Sequence, residues 1–262
     1  ASKLNSFFTV SLTSSGKYRL FGNCVFKNHH LEGHRYAAYG DWGLLEKETE
    51  HDFAVIPNEE ETFAQQMIRD FSLKRNQKPG LSVIVPFPDK NMGPEEITKS
   101  VIRNYFVPIC RGQLVVEICE NGNQCFELSE ETILNIASNL QWEGKIPGTF
   151  SDTNKAQMIG LIKLVQWWVG KEETANVDLN PPSSSREPTW SLDLIPEAVL
   201  GQLRESLGNG DKIAIRAYIP ISDKKRGQKN GNVSQFIILI HKDESYGGSD
   251  TVWIRKYLEV PR

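Results

Sequence analysis

The chain has 262 residues, a formal net charge of −3, 39% hydrophobic residues and 24% charged ones. That composition excludes a collagen-like, disordered or disulfide-scaffold chain, and its length suits one large or two modest domains. The charge balance excludes a generally basic nucleic-acid binder but leaves room for a local basic patch. The longest clean apolar run is Phe236 to Ile240, which is strand length and far short of the roughly 18 residues of a membrane helix. No signal peptide is visible, and no membrane partner is expected. The first residue is Ala1 rather than Met, which suggests a processed, tag-derived or fragmentary chain. Four cysteines, at 24, 110, 119 and 125, form no C-x-x-C pair. Free buried thiols and a reducing cytoplasmic setting fit that usage, although Cys119 and Cys125 flank a turn and could face each other.

The first forty residues read as an antiparallel meander. Phe7 to Leu12 and Tyr18 to Phe26 are strands about a Ser14–Lys17 turn, and Arg35 to Tyr39 is a third strand after a turn at Asn28–Gly33. The period then changes. Asn58 with Glu61 three residues on predicts an N-cap and capping box, followed by the apolar stripe Phe63, Met67, Ile68 and Phe71. Pro79-Gly80 is a turn before an apolar strand, Leu81 to Phe87, that ends at Pro86. Pro94, Glu95 and Glu96 open a helix with the stripe Ile97, Val101, Ile102, Tyr105, Phe106 and Ile109, its end bracketed by Pro108 and Gly112.

Leu114 to Ile118 and Gln124 to Leu128 form a hairpin around Asn121-Gly122. Ser129 caps a short helix containing Ile133, Leu134, Ile136 and Ala137. Thr153 to Val169 is the most hydrophobic helix. Its apolar residues wrap more than one face, so it is either core or, through Trp167-Trp168, a partner surface. Residues 171 to 189 read as a loop or linker. Pro196 to Leu207 is a helix stopped by Gly208. Lys212 to Ile221 and Val233 to His241 are strong strands. Thr251 to Val260 suits either a strand or a helix.

Few motifs carry chemistry. His29, His30 and His34 lack the Cys or carboxylate partners of a zinc set and read as a solvated turn. There is no phosphate-binding Gly loop and no nucleophile elbow. Gly208-Asn209-Gly210 follows a helix and precedes a strand, the reverse of a nucleotide loop, so it is a helix stop. The stretch Lys224, Lys225, Arg226, Gly227, Gln228, Lys229 is a basic loop between strands. It is either a solvated hairpin loop or a grip on phosphate, and it lacks the interleaved aromatics of a single-strand binder.

One order of parts is distinctive. A paired strand region ends in Tyr39-Gly40-Asp41-Trp42-Gly43. A helix ends in Arg69-Asp70-Phe71, with Arg75-Asn76 after it. Pro79-Gly80-Leu81-Ser82 then leads into a strand ending in Pro86. A helix with Ser100-Val101-Ile102 and Asn104-Tyr105-Phe106 and a strand introduced by Arg111-Gly112 follow. This resembles the later part of bacterial GHKL-type ATPases, relatives in fold of the Hsp90, MutL and MORC proteins.

The resemblance implies an α+β (mixed α/β) protein with antiparallel-rich sheets and packed helices. Residues 1–90 would be the C-terminal part of a GHKL-like ATPase domain, and residues 91–262 a transducer-like domain. It further implies an ATP-dependent bacterial protein of the phage-defence or DNA-transaction kind. ATP and Mg2+ would be held mainly by an upstream segment, because the Asn-bearing helix, the Asp-x-Gly-x-Gly loop and the glycine-rich lid do not occur here. Leu81 stands where the family's turn has Thr, so Ser82 is the substitute hydroxyl beside Gly80. Gln228 and Lys229 would reach the γ-phosphate, as a compact cation suits phosphoryl oxygens. Such relatives often dimerise with nucleotide bound. The alternative is a non-enzymatic binding module that contacts protein or DNA through Lys224, Lys225, Arg226 and Lys229 and the Trp167-Trp168 helix.

Overall fold

The computed structural model describes residues 5–25, 28–47, 53–75, 78–120, 123–142, 155–179, 195–221, 232–243, 248–255 and 258–259. The protein is a mixed α+β fold of helices and mainly antiparallel sheets. It divides into two compact units, residues 1–97 with 118–125, and residues 98–117 with 126–262. No helix of the described residues is long and apolar enough to cross a membrane.

The first unit is built on a four-stranded antiparallel sheet. Strands β1 (Ser6–Leu12) and β2 (Tyr18–Val25) form a hairpin, with Gly16 at φ +80 in its turn. Two short hairpins, β3 (His29–Leu31) with β4 (His34–Tyr36) and β6 (Leu44–Lys47) with β7 (Phe53–Ile56), leave β5 (Tyr39–Trp42) between them. The helix α1 (Glu61–Asp70) precedes β8 (Gly80–Ile84), and the sheet order is β5-β2-β1-β8. Period-2 alternation on these strands sends Phe8, Val10, Leu12, Tyr18, Leu20 and Ile84 to one face. There they meet Phe63, Ala64, Met67 and Ile68 of α1 in a single core. Gly22 belongs to the same face, because a Cβ there would stand 2.7 Å from the Phe8 ring.

Local pattern and tertiary context part company here. The expected third strand over Arg35–Tyr39 is split, and the segment read as a turn at 28–33 is half strand. The turn narrows to Glu32 and Gly33, both at positive φ, which is the geometry of a tight hairpin. The hairpin β6–β7 was not foreseen. α1 starts later than its capping signal, with Glu60 as N-cap and no side-chain cap bond. Asn58 cannot serve as cap because its backbone is committed elsewhere. Its N–H and C=O both bond to Leu20, at 2.9 and 2.8 Å, which holds it extended against β2. Its Oδ1 accepts from the Glu60 N–H instead.

The second unit contains most of α2 (Pro94–Cys110), whose N-terminus belongs to the first unit. The buried face of α2 is Thr98, Lys99, Ile102, Phe106, Val107, Pro108 and Ile109, while Tyr105, expected in the stripe, is exposed. Pro108 lies within the helix rather than ending it. The hairpin β9 (Val116–Glu120) and β10 (Asn123–Leu128) comes next, its residues 118–125 belonging to the first unit, and the helices α3 (Ile133–Asn139) and α4 (Lys155–Gly170) follow in the second. Thr132, not Ser129, precedes α3, and its hydroxyl is tied to the backbones of Ser129 and Glu127.

The second sheet runs β11 (Val177–Leu179), β12 (Ile213–Ile221), β13 (Asn232–Asp243), β14 (Gly248–Arg255), β15 (Leu258–Glu259). Among the described residues of this sheet only the β11–β12 pair is parallel. β11 falls inside the stretch expected to be loop, and β14 resolves the ambiguous last segment as strand. The helix α5 (Glu197–Gly208) lays Leu203 and Leu207 on Ile213, Ile215, Ala217 and Ile238. The opposite face presents Ala214, Ile237 and Leu239, all buried, and α4 packs on β13 and β14. Cover on both faces is why Phe236 to Ile240 reads as a continuous apolar run rather than an alternation.

Candidate functional site

Two clusters of polar side chains are built with care, one in each unit. The first contains the expected nucleotide-site residues Gly80 and Ser82. α1 ends in a left-handed turn at Ser72 (φ +50), with Ser72 N–H bonded to the Arg69 carbonyl and Leu73 N–H to that of Ile68. Leu73 packs back on the core that includes Ile68, the apolar contact that accompanies this kind of cap. The chain is thereby turned so that Arg75 lies along the start of β8.

The Arg75 guanidinium is spread over that start. Nε donates to Ser82 Oγ at 3.2 Å and Nη2 to the Leu81 carbonyl at 3.1 Å. Nη1 donates to the carbonyls of Lys78 and Pro79, each at 3.4 Å. Gly80 has φ +144, and a Cβ on it would lie 2.5 Å from Arg75 Nη1. Glycine is therefore required twice, by conformation and by the approach of Arg75. The bond from Arg75 fills one lone pair of the Ser82 hydroxyl and leaves its own hydrogen to donate. Ser82 is opposite Val10, on the α1-covered face of the sheet.

The other face of this sheet is uncovered and apolar in part. Phe7, Val25, Tyr39, Leu81 and Val83 alternate outward with exposures of 39 to 71%.

The second cluster was not foreseen. α2 closes with Gly112 at φ +65, where Gly112 N–H bonds to the Ile109 carbonyl and Gln113 N–H to that of Pro108. This presents Arg111, whose Nε and Nη2 meet Oε1 and Oε2 of Glu173 at 2.5 and 2.7 Å. The Arg111 side chain is 10% exposed, and its guanidinium lies 5.6 Å from the centre of the buried Trp168 ring.

Glu173 follows α4 in a turn of the same form, but with two successive L-residues in the left-handed region, Glu172 at φ +53 and Glu173 at φ +57. Each such residue costs about 1–2 kcal/mol, so the turn persists only because its surroundings hold it. Arg216 of β12 donates from Nη2 to the Glu173 carbonyl at 3.3 Å and pairs with Asp178 at 3.5 Å. Asn176 completes the hold, its N–H on the Ala214 carbonyl and its Oδ1 accepting from Ala214 N–H.

The other sequence candidates divide as follows. Lys224, Lys225, Arg226, Gln228 and Lys229 lie outside the described residues, and the β12–β13 pairing that flanks them ends at Ile221 opposite Asn232. Trp168 is buried in the core, whereas Trp167 is half-buried with Lys171 Nζ 5.0 Å from its ring centre. The three histidines are spread along an exposed hairpin, His29 stacked on Tyr36, His30 opposite Arg35 and His34 opposite Leu31. Among the described residues no group of three His, Cys, Asp or Glu is placed to hold a metal. All four cysteines are free thiols, and burial pushes the Cys110 thiol up to about 12 from 9.0, which leaves it unreactive.

No family model, curated protein or solved structure matches the chain.

Proposed function

We propose that this chain is the post-lid portion of a GHKL-like ATPase together with its transducer-like region. In this reading it relays nucleotide state within a longer protein and does not hydrolyse ATP alone. The observation that carries the reading is the treatment of β8. It starts at Gly80 itself, already paired with Leu12, rather than after a Pro-Gly turn; Arg75 pins its first residues, and it pairs with β1 at the edge of an antiparallel sheet with one helical layer. The sheet's far face, with Phe7, Leu81 and Val83 exposed, invites a further layer, which an upstream ATP-binding segment would supply.

Within that assembly the upstream segment would wrap the edge strand β8, so that the nucleotide meets it from the α1-covered side, where Ser82 would offer its hydroxyl hydrogen. Gln228 and Lys229 would bring a positive charge toward the γ-phosphate. Magnesium would be held upstream, on the Asn-bearing helix that the resemblance places before this chain. Phosphate release by this chain alone is expected at background. In the longer natural protein, Ser82→Ala should raise the KM for ATP and Lys229→Ala should lower kcat. Turnover by the isolated chain that a single substitution within it abolishes would overturn the reading. If the lysine changes weaken DNA binding and flatten its salt dependence while turnover is untouched, the basic loop is a nucleic-acid contact instead.

A further inference from the structure

We infer that the Arg111–Glu173–Arg216 chain is a mechanical coupler that makes the end of α2, the turn after α4 and the start of β12 open and close as one element. The inference rests on the relay reading only for its use, since the geometry stands by itself.

Three features set this cluster apart from an ordinary ion pair. First, Arg111 engages Glu173 with two parallel bonds at 2.5 and 2.7 Å, the arrangement that fixes direction as well as distance. Second, the residue it grips sits in a pair of left-handed L-residues, Glu172 and Glu173, which relaxes if the grip is lost. Third, the same residue is held from the other side through its backbone carbonyl by Arg216 of β12. A single residue thus carries both contacts, by side chain to α2 and by main chain to β12. Loss of the first releases the turn that positions the second.

The two ends of the coupler are well placed for a relay. α2 begins at Pro94, within the first unit and ten residues after β8 ends at Ile84. β12 runs from the Arg216 contact to Ile221, where the stretch bearing Lys224 to Lys229 begins. Asn176 and Asp178 fasten the intervening turn to Ala214 and Arg216, so displacement of β12 is passed to Glu173 rather than absorbed.

Amide hydrogen exchange on the intact chain tests this. In Glu173→Gln, residues 107–114, 171–178 and 213–217 are expected to exchange faster together, by about tenfold, while β1 and β2 stay as in the parent. Glu172→Gly, which removes one strained residue and leaves the grip intact, is expected to slow exchange in the same three segments. Faster exchange confined to 171–178, or no change in any segment, would overturn the coupler. If Glu173→Gln lowers protection everywhere by unfolding, Arg111→Lys and Glu172→Gly decide the matter by whether the three segments still move in concert. In the longer protein, a nucleotide-dependent change at 213–217 should extend to 107–114 and stop doing so in Glu173→Gln. Concerted exchange in the chain with no nucleotide response in the longer protein would sink the relay reading and leave the coupler standing.

Discussion

Replacing Gly80 by alanine tests the construction of β8 directly. At φ +144 an L-residue sits in a region open essentially to glycine, at a cost of about 1–3 kcal/mol. The new methyl would also stand 2.5 Å from Arg75 Nη1, so the guanidinium must leave. It would give up bonds to Ser82 and to the carbonyls of Lys78, Pro79 and Leu81. These are part-buried or exposed, and together they add about 1 kcal/mol. The sum, about 2–4 kcal/mol, should lower the Tm of the first unit by on the order of 10 °C. Thermal melting of Gly80→Ala, Arg75→Ala and the double variant separates the two parts. With Arg75 already gone, Gly80→Ala should cost only its backbone share, and the difference is the coupling between the two residues. Gly80→Ala within about 0.5 kcal/mol of the parent would refute the conformational argument. An equal cost in both backgrounds would refute the contact.

Two further substitutions follow from the packing. Gly22→Ala would place a methyl 2.7 Å from the Phe8 ring and 3.2 Å from Trp42 Cβ, and the crowding should cost about 1–3 kcal/mol in a urea titration. Cys110 links stability to alkaline pH. Its thiol ionises near 12 in the fold and at 9.0 unfolded, so its contribution is complete below pH 9 and is lost as pH rises toward 12. That gap corresponds to at most about 4 kcal/mol. The stability of Cys110→Ala should therefore fall less steeply than the parent's between pH 9 and 11, and parallel curves would show the thiol to be solvated.

The helix ends show most clearly what one-dimensional pattern could and could not convey. Among the described residues, four of the five helices close with the same pair of bonds, centred on Ser72, Gly112, Glu172 and Gly210. Where glycine occupies the left-handed position the stop is visible in the residues, although Gly208, read as the last stop, is still helical and Gly210 does the turning. Ser72 and Glu172 carry no such mark. They adopt the conformation because Leu73 is drawn into the core in one case and Arg111 and Arg216 hold Glu173 in the other. Arg111 and Arg216 lie 62 and 43 residues from Glu173, so no local rule reaches that turn, whereas the Leu73 contact on Ile68 is local but unmarked by a glycine.

Residue order alone determined the β1–β2 meander, the stripe of α1, the start of α2 at Pro94 and the strand at β13. The strands and the stripe follow from burying apolar side chains at a fixed period, and the start of α2 from proline's missing N–H at the first helical position. Gly80 and Ser82 were singled out as a pair by the family resemblance. Tertiary structure decided what could not be periodic. It moved the start of α1 away from Asn58, which Leu20 holds extended, and it drew β11 out of an apparent loop by pairing it with β12. It brought Arg75 onto Ser82 and Arg111 onto Glu173, a meeting across 62 residues. A charge finds its partner only after the core has placed the backbone, and nothing in the spacing of either residue announces the other.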